Sequence, residues 1–241
     1  TLPPSPTKIL MDPREKIWLA SNSGLMRGEL IKNNILQCSF IELPDLTKTH
    51  VDDILYDSKD RLWVVTRNNG VYCLFPEDYD SLRFRKYLHR NYKYKYTTEY
   101  NARSILEDEW GNIWFRSEWD LFKYDTNADN ILAIDHFNHS INEKIFSFTR
   151  DHNGNFWFIW RYGLIFYKPG ETAQDKIFIM STYDGVPYTY LMRNSFYFSR
   201  KGYLYCGGQA TVNRGFFRLR PDSIRGPNKN IPPIVLTGFE V

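Results

Sequence analysis

One short pattern recurs five times in this 241-residue chain, and it leaves few folds open. An apolar run ends in Asp, a tight turn follows, and an aromatic stands six positions after that Asp. The copies are Ile9-Leu10-Met11-Asp12 with Trp18, Ile54-Leu55-Tyr56-Asp57 with Trp63, and Ile105-Leu106-Glu107-Asp108 with Trp114. Two more are Phe148-Thr149-Arg150-Asp151 with Trp157 and, with Ser in place of Asp, Phe196-Tyr197-Phe198-Ser199 with Tyr205. Successive aromatics lie 45, 51, 43 and 48 residues apart. Short strands with a period in the forties read as a β-propeller, one four-stranded blade per repeat. The expected fold class is all-β, with residues 1–228 forming about five blades.

The third copy shows how a repeat makes strands. Residues 103–107 read as one strand, 108–112 as a turn, 113–116 as a second strand and 121–124 as a third, with 131–136 as a less patterned outer strand. Asp at the head of the turn can accept from its backbone amides, and Gly111, Gly154 and Gly202 supply the positive φ that reverses the chain. Glu15 and Asp60 hold that place in the first two copies, so those turns are expected to differ or to carry slight strain. Blades pack face to face, so a central strand is buried on both sides. Trp18, Trp63, Trp114, Trp157 and Tyr205 are therefore expected between blades, as core and not as a binding site. Five such blades alone would leave an open arc, so the segment is expected to be part of a larger, seven-bladed ring.

Charge and cysteine usage remove several classes. Basic and acidic residues number 31 and 28, a balance that gives no argument for nucleic acid. Cys38, Cys73 and Cys206 are odd in number and unpaired in spacing, and Cys73 and Cys206 fall in apolar strand contexts, which fits buried small hydrophobes better than a disulfide or metal framework. His136 and His139 lie three apart with no third ligand evident, so no metal and no cofactor is expected. His50, His89 and His152 fall in turns or loops, with no neighbour to support catalysis. The run from Arg83 to Tyr96 alternates bases and aromatics without an acid, which suits an outer strand and a solvated loop better than a polyanion grip. No apolar run reaches the length needed to span a bilayer. The chain opens on Thr1-Leu2-Pro3-Pro4 with no signal peptide, and reads as an excerpt of a longer protein.

The stretch Ile105-Leu106-Glu107-Asp108-Glu109-Trp110-Gly111-Asn112-Ile113-Trp114, followed by Leu121-Phe122-Lys123-Tyr124-Asp125, resembles the two-component regulator propeller repeat. Asn194-Ser195-Phe196, Gly207-Gly208 and Gly215-Phe216-Phe217-Arg218-Leu219-Arg220-Pro221 are similar to the closing blade of such sensors. Ile231-Pro232-Pro233-Ile234-Val235 looks like the way into the β-sandwich that follows them, so 229–241 is expected to be a linker and the start of that domain. The resemblance implies the periplasmic sensor region of a hybrid histidine kinase of the kind common in gut Bacteroidetes, associated with detecting polysaccharide fragments. It implies a segment with no catalysis of its own.

The ligand end of a propeller is expected where second strands turn into third strands and where the chain leads into each first strand. There the family repeat uses small residues, as the fifth copy does with Gly207-Gly208, but the second, third and fourth copies depart from it. The chain carries Arg67 and Asn68 in the second copy, Arg116, Glu118 and Trp119 in the third, and Trp160, Arg161 and Tyr162 in the fourth. Leading segments add Arg103, Tyr188, Tyr190, Arg193 and Asn194. Rings that stack on sugar C–H faces and planar forks that bind hydroxyls or carboxylates make an oligosaccharide, with an anionic one in view, the expected partner. Two alternatives stay open. One is a structural or homodimerising propeller whose rings meet a partner or the remaining blades. The other is a propeller lyase or glycosidase, which would need carboxylates beyond Glu118 and Asp120 at the mouth.

Overall fold

The computed structural model describes residues 6–31, 35–42, 48–75, 83–87, 102–134, 137, 144–169, 176–187, 191–208 and 215–223. The expected repeat of strands is what folds. Blade 1 is β1 (Pro6–Met11), β2 (Ile17–Ser21), β3 (Gly24–Ile31) and β4 (Ile35–Phe40). Blade 2 is β5 (Val51–Tyr56), β6 (Leu62–Thr66), β7 (Val71–Phe75) and β8 (Arg83–Tyr87). Blade 3 is β9 (Ser104–Glu107), β10 (Ile113–Arg116), β11 (Leu121–Asp125) and β12 (Asn130–Ala133). Blade 4 is β13 (Ile145–Arg150), β14 (Phe156–Trp160), β15 (Gly163–Lys168) and β16 (Lys176–Met180). Blade 5 has three strands among the described residues: β17 (Leu191–Phe198), β18 (Leu204–Gly208) and β19 (Gly215–Leu219). Each blade is an antiparallel meander, and the first strands β1, β5, β9, β13 and β17 neighbour one another in that order along the inside. The molecule is a five-bladed β-propeller. The strands expected from the third copy agree with β9 to β12 to within a few residues. Residues 229–241 lie outside the described residues.

Four apolar clusters fill the four junctions between successive blades. Trp18 packs with Ile54 and Val64, Trp63 with Ile105 and Phe115, Trp114 with Phe156 and Phe158, and Trp157 with Leu204 and Cys206. Each tryptophan of blades 1 to 4 thus plugs the junction with the next blade. Leu204 and Cys206 face blade 4, so alternation turns Tyr205 to the opposite face, where it meets Tyr197 and Phe216. Burial pushes the Cys73 and Cys206 thiols up to about 12, which keeps both inert at neutral pH.

The six-residue spacing has a direct cause. One oxygen of each Asp caps the turn, and the other takes the indole N–H of the tryptophan. In blade 1, Asp12 Oδ1 accepts from the amides of Arg14 and Lys16 at 2.9 Å, and Oδ2 accepts from Trp18 Nε1 at 3.0 Å. Asp57, Asp108 and Asp151 repeat this with Trp63 at 2.7 Å, Trp114 at 2.8 Å and Trp157 at 2.9 Å. Burial alone would raise the Asp108 carboxyl, but donors from Trp114 and Asn112 and the nearby Arg150 charge hold it below the usual value. In the fifth copy Ser199 Oγ accepts the Tyr203 amide at 3.1 Å, and Tyr205 has no indole N–H for a second oxygen to satisfy.

The turns of the first two copies do not change shape to suit their residues. Glu15 and Asp60 adopt φ of 62° and 57°, close to the 76°, 81° and 77° of Gly111, Gly154 and Gly202. The expected strain is therefore present, at a familiar turn geometry. Glu15→Gly and Asp60→Gly are each expected to raise the unfolding free energy by roughly 0.5–1 kcal/mol, read as a higher urea midpoint at unchanged slope.

Candidate functional site

At the end of the blades where second strands turn into third strands, a cavity of about 360 Å³ is lined by residues from blades 1 to 4 and the segments leading into them. Three of these residues owe their direction to one backbone device. The first strands of blades 1, 2 and 4 each carry a register shift, between Pro6 and Lys8, Val51 and Asp53, and Ile145 and Ser147. The skipped residues are Thr7, Asp52 and Phe146, and all three line the cavity. A bulge frees one residue from the ladder and re-aims its side chain. In blade 3 no shift occurs, and Arg103, just ahead of β9, fills the equivalent place with its amide donating to Arg116 O at 2.7 Å.

The polar lining is a chain of alternating charge across three blades. Arg67 donates to Asp52 through Nη2 at 2.8 Å. Arg103 bridges, giving Nη1 to Asp52 at 3.2 Å and Nη2 to Glu118 at 3.0 Å. Lys144 closes the far end on Glu118 at 3.1 Å and lies 5.5 Å from the centre of the Trp119 ring. Burial would raise the Glu118 carboxyl, but Lys144 and Arg103 hold it below its ordinary value. His50 stands at the near end, its Nε2 3.0 Å from Arg67 and 3.2 Å from Asp52. Burial lowers its imidazole, Asp52 works the other way, and Arg67 and Arg103 add to the lowering, so the ring is neutral at pH 7. Arg116 lies beneath, only 5% exposed, holding Ile145 O at 2.7 Å and Ser104 Oγ at 2.9 Å. It joins blades 3 and 4 as well as lining the cavity.

Four residues singled out in the sequence, Arg67, Arg103, Arg116 and Glu118, thus meet in one cavity. Others lie beside it or apart from it. Trp119 is half-buried next to Glu118, and Asn68 is exposed in the loop after β6. Trp160 packs against the core between blades 3 and 4, its ring 5.3 Å from that of Tyr162, over which Arg161 stacks at the same distance. Arg193 and Asn194 belong to β17, and Tyr188 and Tyr190 lie outside the described residues. Thr7, Asn22, His50, Asp52, Ile145 and Phe146 were not singled out. The rule that picked Arg103, residues leading into a first strand, would have found His50 if applied to blade 2. Among the described residues no group of His, Cys, Asp and Glu is arranged to hold a metal ion. Among them, too, no helix is long and apolar enough to cross a membrane.

No protein-family model matches this sequence, and no curated protein matches it. Solved structures do. The extracellular domain of BT3049 from B. thetaiotaomicron, named as a hybrid two component system, superposes with a TM-score of 0.67 at 19% identity over 90% of this chain. The extracellular domain of BT4673 from the same organism, named as a one component system, gives 0.66 at 18% identity over 90%. At these identities the likeness is one of fold. The chain spans 28% and 27% of the length of those two domains. A streptogramin B lyase shares the fold at a TM-score of 0.58 and 16% identity, over 95% of this chain and 72% of its own.

Proposed function

We propose that this chain is the ligand-sensing propeller of an extracytoplasmic sensor region, and that it binds an oligosaccharide in the cavity framed by blades 1 to 4. The observation that carries this is the lining itself. Planar donors from Arg67 and Arg103, acceptors from Asp52 and Glu118, and the Phe146 ring supply both kinds of surface that a sugar presents. The solved extracellular domains of a hybrid two component system and a one component system with the same fold support placing such a cavity in a sensor. Phosphotransfer would belong to other parts of the protein. Ile9, Met11, Leu30 and Phe40 on blade 1, and Tyr197 and Phe216 on blade 5, leave large apolar side chains exposed, which further blades of a longer protein would cover.

Isothermal titration of the folded protein with a panel of neutral and uronic-acid oligosaccharides tests the reading. Arg103→Ala is expected to weaken any sugar that binds by more than tenfold, about 1.4 kcal/mol or more. Heat unchanged by that substitution would move the binding site elsewhere, and no heat from any sugar would favour a structural or dimerising role.

His50 in the cavity, together with the lyase fold likeness, favours one second reading, an elimination enzyme with His50 as base. Against it, His50 Nε2 is already engaged by Arg67 or Asp52 in either tautomer, leaving only Nδ1 for a substrate. New unsaturated ends appearing in the same titrations would establish the enzyme.

A further inference from the structure

Arg67, Asp52, Arg103 and Glu118 alternate in charge along the cavity wall, and Lys144 pairs with Glu118 just outside the lining. Within the lining, Arg67, Arg103 and the buried Arg116 outnumber Asp52 and Glu118. Asp52 is the carboxylate shared by Arg67 of its own blade and by Arg103 of blade 3. It is also the bulged residue of β5, outside the ladder that fixes Val51 and Asp53. Arg67 leaves 42% of its side chain in water, where an ion pair is weakly held. Arg103 and Asp52 leave only 19% and 12%, so at that end the carboxylate can be given up only in exchange for another anion.

We propose that the cavity is specific for an acidic oligosaccharide and takes it by anion exchange. The ligand's carboxylate replaces Asp52 between Arg67 and Arg103. The proposal rests on the reading of this cavity as the oligosaccharide site. Both guanidiniums are already oriented by Asp52 and Glu118, so an incoming carboxylate meets forks whose side-chain entropy has been given up in advance. A neutral sugar offers only hydroxyl acceptors and cannot displace a carboxylate from two arginines. Exchange would also convert a direct link between blades 2 and 3 into one bridged by ligand, so occupancy would be felt where two blades meet.

The test compares an oligogalacturonate with its carboxyl-reduced, neutral counterpart, titrated into the 241-residue chain at low and high salt. The acidic form is expected to bind at least about tenfold more tightly, and to lose that advantage at high salt. Arg103→Gln should abolish the advantage. Asp52→Asn, which removes the competing carboxylate, should tighten the acidic ligand by about fivefold and leave the neutral one unchanged. If Asp52→Asn does not fold, Glu118→Gln releases the other arm of Arg103 and carries the same sign. Equal binding of both sugars, or weakening of the acidic ligand by Asp52→Asn, would overturn anion exchange while leaving an oligosaccharide site in place. Binding of neither overturns both.

Discussion

Asp151→Ala is expected to lower the unfolding free energy by about 4 kcal/mol, because one carboxylate satisfies four donors that have few other partners. Asp151 is 4% exposed. Its Oδ1 accepts from the amides of Asn153 and Asn155, each at 2.9 Å. Its Oδ2 accepts from Asn155 Nδ2 at 3.0 Å and from Trp157 Nε1 at 2.9 Å. Trp157 is fully buried between blades 4 and 5, so its N–H has no water to turn to. Losing the acceptor leaves that N–H and the Asn155 amide unsatisfied in the core, at roughly 1–3 kcal/mol each. The Asn153 amide, only partly buried, can reach solvent and adds less. Asp151→Asn should fall between, at about 2 kcal/mol, since its oxygen still caps the turn while its amide nitrogen confronts two donors. Urea unfolding at unchanged slope measures each, and a cycle with Trp157→Phe isolates the indole contact. If Asp151→Ala costs less than about 1 kcal/mol, the clamp is incidental and the spacing needs another cause.

The fifth blade already carries the natural control for that pair. Ser199 and Tyr205 replace Asp and Trp together. The hydroxyl keeps the turn bond and the phenol makes no demand for a second oxygen. An aspartate is therefore required where a buried indole stands six residues on, which explains why the two residue types recur as a unit.

This clamp was legible because both of its ends lie within one short segment. The turn, the two central strands and the tryptophan plug all follow from local spacing. The lining was less legible, since a bulge arises from pairing between strands and not from the composition of one. Its trace was nevertheless present. Val51 and Ile54 are three apart yet share one cluster, and Ile145 and Phe148 do the same. Strict alternation puts residues three apart on opposite faces, so each pair signals an extra residue between them. Asp52 and Phe146 lie inside those two intervals. Trp160 illustrates the opposite difficulty. It ends a strand whose Phe156 and Phe158 face blade 3, and the same alternation carries its ring onto that core rather than into the cavity.

Gly163→Ala is expected to cost about 4 kcal/mol or more, from a contact that no side-chain rotation relieves. Gly163 opens β15 after the Arg161–Tyr162 turn and pairs with Trp160. Its φ is 153°, and a Cβ there would lie 2.0 Å from the carbonyl oxygen of Met180 and 3.0 Å from its carbon. Both atoms are main chain of β16, so the substitution must push the outer strand of blade 4 away or move the turn. Either shift strains the Leu164 and Met180 pairing beside it. Gly202→Ala separates the two contributions. Its φ of 77° is also unfavourable to L side chains, yet nothing lies within 4 Å of the added carbon. That variant should lose only about 1 kcal/mol, the cost of the backbone region alone. The difference between the two, measured by urea unfolding, is the steric part. Hydrogen exchange should place it, with Gly163→Ala accelerating the β15 and β16 amides while those of blades 1 and 2 keep their protection. Equal losses for the two variants would mean that β16 yields freely at Met180, and that the outer edge of blade 4 is held less rigidly than its register implies.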